Sequence, residues 1–179
     1  MTTGGPPLHP RYDLTDHHGR DVTEGEFQGR YQLIFFGFTH CRMVCPRALS
    51  KLTEVLDDLG ELADQIQPLY ISVDPARDTP EVMRAFLEQT YPKFLGLTGS
   101  QAASDAAQTD FRVFTGRGED PDDPEGYAVP HTALTYLLDP AARYVTHFSD
   151  VVDADRISAR LKTLLMMPAG AAQDPSSGS

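Results

Sequence analysis

Residues 31–49 read YQLIFFGFTHCRMVCPRAL, and their order sets the architecture. Tyr31 to Phe36 is an apolar run of strand length, the pattern of a strand covered on both faces. From Pro46 to Leu62, Leu49, Leu52, Leu56 and Leu59 recur at helical spacing, so a helix with one apolar face follows. The loop Gly37-Phe38-Thr39-His40 leads to Cys41, and Cys45 immediately precedes Pro46, which suits a first helical turn. The chain's two cysteines thus sit where a strand end meets a helix start, a common place for ligand chemistry in α/β sheets. The positive end of a helix stabilises thiolate, and Arg42 between the cysteines acts in the same direction.

A pair of cysteines this close cannot staple a fold, and it reads as a chemical site. The two sulfurs can form a disulfide or hold one soft metal ion. Two sulfurs leave a metal's shell incomplete, and His40, Met43, His131 and His147 are the available third donors. His131 stands out: it follows Pro130 and opens an expected strand, Thr132 to Leu138, where a thioredoxin-like sheet faces the cysteine-bearing helix start. An imidazole with two thiolates makes a Cys₂His site suited to copper. Each residue also has a plainer reading. A CxxxC pair is weak evidence in isolation, His40 is an ordinary loop residue, and His147 faces a strand neighbour. Met43 fills a packing gap, and His17 and His18 lie exposed in a hairpin turn.

Working outward, residues 12–23 alternate around His18-Gly19 and predict a hairpin. Leu69 to Val73 is a second buried strand, and Thr79-Pro80 caps and opens a helix to about Glu88. Phe94 to Leu97 reads as a short strand and Ser100 to Phe111 as an Ala-rich helix. An acidic excursion runs from Thr115 to Ala128. Two strands, Thr132 to Leu138 and Tyr144 to Phe148, are joined by a turn at Asp139-Pro140-Ala141-Ala142, and Asp153 to Met166 closes the chain as an amphipathic helix. The expectation is one α/β domain over 11–167, with a thioredoxin-like mixed central sheet flanked by helices and extra N-terminal strands. Residues 1–10 and 168–179, rich in Gly, Pro, Ser and Ala, are expected to be disordered.

The formal net charge of -11 repels phosphate backbones and excludes nucleic acid as a natural partner. No apolar run approaches the roughly twenty residues of a membrane span, and the first residues, MTTGGPPLHP, lack the pattern of a signal peptide.

Three stretches, FFGFTHCRMVCPRAL (35–49), YISVDPARDTPEVMRAF (70–86) and YAVPHTALTYLLDP (127–140), resemble the Sco (SenC) family of copper-binding proteins, and the likeness runs from about residue 12 to 166. The resemblance implies a copper metallochaperone or assembly factor for cytochrome c oxidase. Its ligands would be Cys41, Cys45 and His131, binding Cu(I) and, less favourably, Cu(II). It implies an oxidase subunit or another copper or thiol protein as partner. It also implies a place on the periplasmic side of a bacterial cytoplasmic membrane, where family members are held by an N-terminal helix that this chain does not show. Two positions depart from the family. Arg42-Met43 replaces the usual Pro-Asp, and Pro130 replaces the usual Asp before the histidine. Both remove negative charge beside a cation, which disfavours Cu(II) more than Cu(I). Pro130 also matches the place of the proline beside the active site of thioredoxin relatives.

The rival reading is a thiol–disulfide oxidoreductase, the one enzyme activity with real support, in which Cys41 attacks and Cys45 resolves. A peroxiredoxin-type peroxidase shares the fold but fits a paired motif poorly. In the 74–79 loop, Asp74 reads either as an acceptor orienting a ligand or as a turn residue, and Arg77 is expected to pair with Asp78.

Overall fold

The computed structural model describes residues 9–39, 44–113, 118–119, 127–128, 134–149 and 151–166, with 44–46, 118–119 and 127–128 as backbone only. The expected disorder of 1–8 and 168–179, and the geometry of Pro130, lie outside the described residues.

A seven-stranded mixed sheet carries the fold, in the order β2-β1-β5-β4-β3-β8-β9. Its centre is β3 (Tyr31–Gly37), parallel to β4 (Ile66–Ser72), which is parallel to β5 (Leu95–Thr98). On the other side of β3, β8 (Leu134–Leu138) runs antiparallel and turns back into β9 (Tyr144–Ser149). The N-terminal hairpin of β1 (Asp13–Asp16) and β2 (Asp21–Thr23) is added antiparallel against β5. Within 115–128, β6 (Gly118–Glu119) and β7 (Tyr127–Ala128) form a small separate ribbon.

Strand pleating explains the apolar run of β3. Leu33 and Phe35 point into one core, and Ile34 and Phe36 into the other. The first core is covered by α1 (Val44–Leu59), α2 (Pro80–Thr90) and α4 (Ala154–Leu165), through Leu49, Leu52, Met83, Leu87, Leu161 and their neighbours. The second is covered by α3 (Gln101–Phe111) and the N-terminal hairpin. The polar exception, Gln32, is fully buried but satisfied: its oxygen accepts from the Tyr12 hydroxyl at 2.7 Å and its amide donates to the Glu24 carbonyl at 3.0 Å.

Helices α2, α3 and α4 start at side-chain caps. Thr79, Ser100 and Asp153 each accept a hydrogen bond from the backbone N–H three residues on. Helix α1 begins two residues before Pro46 and stops at Leu59, short of the expected Leu62. Gly60, at φ +60, ends it, and a 3-10 segment, Gly60–Gln65, leads into β4. Strand β4 begins at Ile66 rather than Leu69; Pro68 is tolerated because β5 joins only from Leu69 onward. The turn after β8 is built by Asp139, whose Oδ1 accepts from the N–H groups of Ala141 and Arg143.

His17 departs from expectation: it is 6% exposed rather than solvated. It sits under α2, where Gly96 leaves room, and its Nδ1 accepts the Gly96 N–H at 3.1 Å. Burial, and then the neighbouring His18, push its pKa below the ordinary histidine value of 6.5. The folded protein therefore refuses a proton that the unfolded chain accepts. The stability this group contributes is complete above pH 6.5 and is lost as the pH falls towards the depressed folded value. His17→Asn keeps an acceptor for Gly96 but cannot titrate. We expect it to flatten the slope of unfolding free energy between pH 6.5 and 5, a slope bounded by about 1.4 kcal/mol per pH unit. Identical slopes by denaturant titration would contradict this.

Candidate metal centre

The C-terminal ends of the parallel strands β3, β4 and β5 lie at one end of the sheet. Antiparallel pairing brings the first residue of β8, Leu134, to the same end. The loop from β3 to α1 and the segment leading into β8 therefore both belong to this end. Cys45 is the second residue of α1, so its backbone lies in the first turn, where the helix dipole favours thiolate. Cys41 and His131 lie outside the described residues. Leu134 follows His131 by three positions, and Thr39 precedes Cys41 by two.

Beneath the loop lies a polar network that the sequence pattern did not announce. Asp78, fully buried, accepts from Thr39 Oγ1 at 2.6 Å, Thr39 N–H at 3.1 Å and Ser72 Oγ at 2.8 Å. Its carbonyl accepts from Thr98 Oγ1 at 2.6 Å. Burial raises the Asp78 pKa, and the hydrogen bonds from Thr39 and Ser72 offset part of that rise. Arg77 pairs with Asp74, Nε to Oδ2 at 2.5 Å, and not with Asp78 as expected. The reason is register: the Asp74 carbonyl accepts both the Arg77 and Asp78 N–H groups, a turn that sends Arg77 back over Asp74 and Asp78 inward. The guanidinium also lies 5.8 Å from the centre of the Phe38 ring. Asp74 is thus at least a turn residue, with its own N–H donated to Ser72 Oγ. The trace of it in the sequence was three hydroxyl residues, Thr39, Ser72 and Thr98, at or just beyond the ends of three largely apolar strands.

His147, a weighed alternative ligand, lies on β9 against Tyr144, whose hydroxyl meets its Nδ1 at 2.5 Å. That is the strand-neighbour role expected of it. Among the described residues one other group of metal-type donors converges: His17, His18 and Glu88, all within 4.8 Å of one another. The hydrogen bond from Gly96 to His17 Nδ1 puts the ring proton on Nε2, the atom facing Glu88. Glu88 is also paired with Arg84 at 3.4 Å. Packing and ion pairing therefore account for the cluster.

The family model described as SCO1/SenC matches residues 1–166. The chain belongs to the SCO1/SenC family. It is 38% identical over 137 residues to the SCO2-like protein of Rickettsia felis, covering 76% of this chain and 67% of that one. The structure of Bradyrhizobium japonicum ScoI with copper bound superposes with a TM-score of 0.78 at 38% identity, covering 88% of this chain and 99% of that one. Yeast Sco1 with copper bound gives a TM-score of 0.83 at 32% identity, covering 94% and 93%. This Sco chain shares their thioredoxin-like fold, as its sequence suggested, with the N-terminal hairpin and α3 added to the sheet.

Proposed function

We propose that this Sco protein binds copper as cargo through Cys41, Cys45 and His131, and acts in cytochrome c oxidase assembly on the periplasmic side of a bacterial cytoplasmic membrane. The observation carrying this reading is topological: the first turn of α1, holding Cys45, and the start of β8, three residues after His131, share one end of the sheet. Two relatives of this fold, from Bradyrhizobium japonicum and yeast, hold copper. The donor set fits that ion. Two thiolates and one imidazole are soft to borderline ligands, and the helix start at Cys45 favours the thiolate form they require. When bound, copper would be held by the three side chains and, on transfer, would leave the two thiolates for a partner's ligands.

Arg42 and Pro130, in place of residues more favourable to a dication, point to Cu(I) as the preferred state. No helix among the described residues is long and apolar enough to cross a membrane.

Titrating the reduced protein separately with Cu(I) and Cu(II) against competing chelators tests the reading. One equivalent of Cu(I) should bind tightly, and oxidation of the two cysteines to a disulfide should abolish binding. Failure to bind either ion specifically would remove copper from the account and leave thiol–disulfide exchange by the same cysteines.

A further inference from the structure

We infer that Asp78 is a positioning residue for the copper-binding loop: its buried carboxylate clasps Thr39 to Ser72 at the end of β4, while its backbone carbonyl holds Thr98 at the end of β5. The inference rests on the copper reading above. Burying a carboxylate costs several kcal/mol unless its oxygens are matched by donors. Here Oδ1 takes the Thr39 hydroxyl, and Oδ2 takes the Thr39 N–H and the Ser72 hydroxyl. With Thr98 held on its carbonyl, Asp78 joins the ends of three strands. Its grip falls on the loop itself, since covalent geometry keeps the Cys41 Cα within about 7.6 Å of the Thr39 Cα. The side chain of Thr79, the next residue, caps α2, so the clasp is also anchored to a helix start.

The clasp is a matter of geometry more than of charge. An asparagine at position 78 with its amide nitrogen placed at Oδ1 could donate to the Thr39 hydroxyl, while its oxygen at Oδ2 keeps both other donors. Alanine loses all three bonds. Asp16 provides a matched control. It is a buried carboxylate in the β1–β2 turn, where burial works to raise its pKa. The N–H groups of Arg20 and His18 and the Arg20 guanidinium overcome that and lower it. From it the chain runs away from the clasp: Thr15 lies opposite Thr98 and Asp16 opposite Leu97 of β5, and the chain then runs on past Gly96.

The experiment measures Cu(I) affinity by chelator competition on the reduced full chain, alongside thermal stability, for Asp78→Ala, Asp78→Asn, Thr39→Val and Asp16→Ala. Loss of a group that orients a metal ligand typically weakens binding by about 10–100-fold. Asp78→Ala should show a loss in that range, and Thr39→Val, which keeps the Asp78 fold contacts, a smaller one. Asp78→Asn should restore most of the affinity, and Asp16→Ala should leave it unchanged despite destabilising the chain. Wild-type affinity in Asp78→Ala, or an equal loss in Asp16→Ala, would overturn the inference. Should Asp78→Ala not fold, unchanged affinity in Thr39→Val would overturn it. Should the wild type bind no Cu(I), the copper reading fails and the clasp is judged on the pH profile of Cys41 alkylation. A shifted profile in Thr39→Val supports it, and an unshifted one overturns it.

Discussion

Replacing Cys45 with serine is expected to weaken Cu(I) binding by more than about a hundredfold while leaving the fold intact. The size follows from chemistry. A thiolate is a soft, charged donor matched to Cu(I), whereas a serine hydroxyl is hard, neutral at any working pH and a poor ligand for that ion. Removing a group that merely orients a ligand costs about 10–100-fold, so removing the ligand itself must cost more. Serine differs from cysteine by one atom, and Cys45 sits in the first turn of α1, where either residue is tolerated. The far-UV circular dichroism should therefore match the wild type. Cys41→Ser should lose binding to a similar extent. Retained tight binding in both single variants would remove the cysteines from the site.

Phe36→Ala is expected to be the most damaging change in the core, at about 3–5 kcal/mol. Phe36 is completely buried and sits between the Phe111 ring, with centroids 5.2 Å apart, and the Tyr136 ring at 5.9 Å and 89°. Those rings come from α3 and β8, so truncation opens a cavity where a helix, the central strand and its antiparallel neighbour meet. The edge-to-face pair with Tyr136 adds to what area burial alone provides. A domain of ordinary stability holds only about 5–15 kcal/mol, so the variant should unfold at much lower denaturant. A loss below about 1 kcal/mol would mean that α3 packs less firmly on this face than its contacts imply.

The sheet's centre was legible in the sequence because β3 is covered on both faces, and a short run beside turn residues, apolar but for Gln32, suits a doubly covered strand. The cap at Thr79 was legible because a helix start is a local event, whereas Ser100 and Asp153 were read only as the first residues of their helices. His17 was not legible, because its burial depends on Gly96, far along the chain, leaving space under α2. Arg77 was assigned the wrong partner because Asp78 is its sequence neighbour. In the fold Asp78 turns inward to meet Thr39, thirty-nine residues earlier. The cysteines and His131 were singled out by their places relative to strands and a helix. The clasp beneath the loop is built from contacts between strand ends, which no local pattern records.

X-ray absorption at the copper edge of the one-to-one Cu(I) complex tests the central claim most directly, because it counts the ligands. With the wild type it should show two sulfur donors and one imidazole nitrogen, and in His131→Ala the imidazole signature should disappear while both sulfurs remain. A spectrum with fewer than two sulfurs, or an imidazole that survives the loss of His131, would contradict the assignment of Cys41, Cys45 and His131.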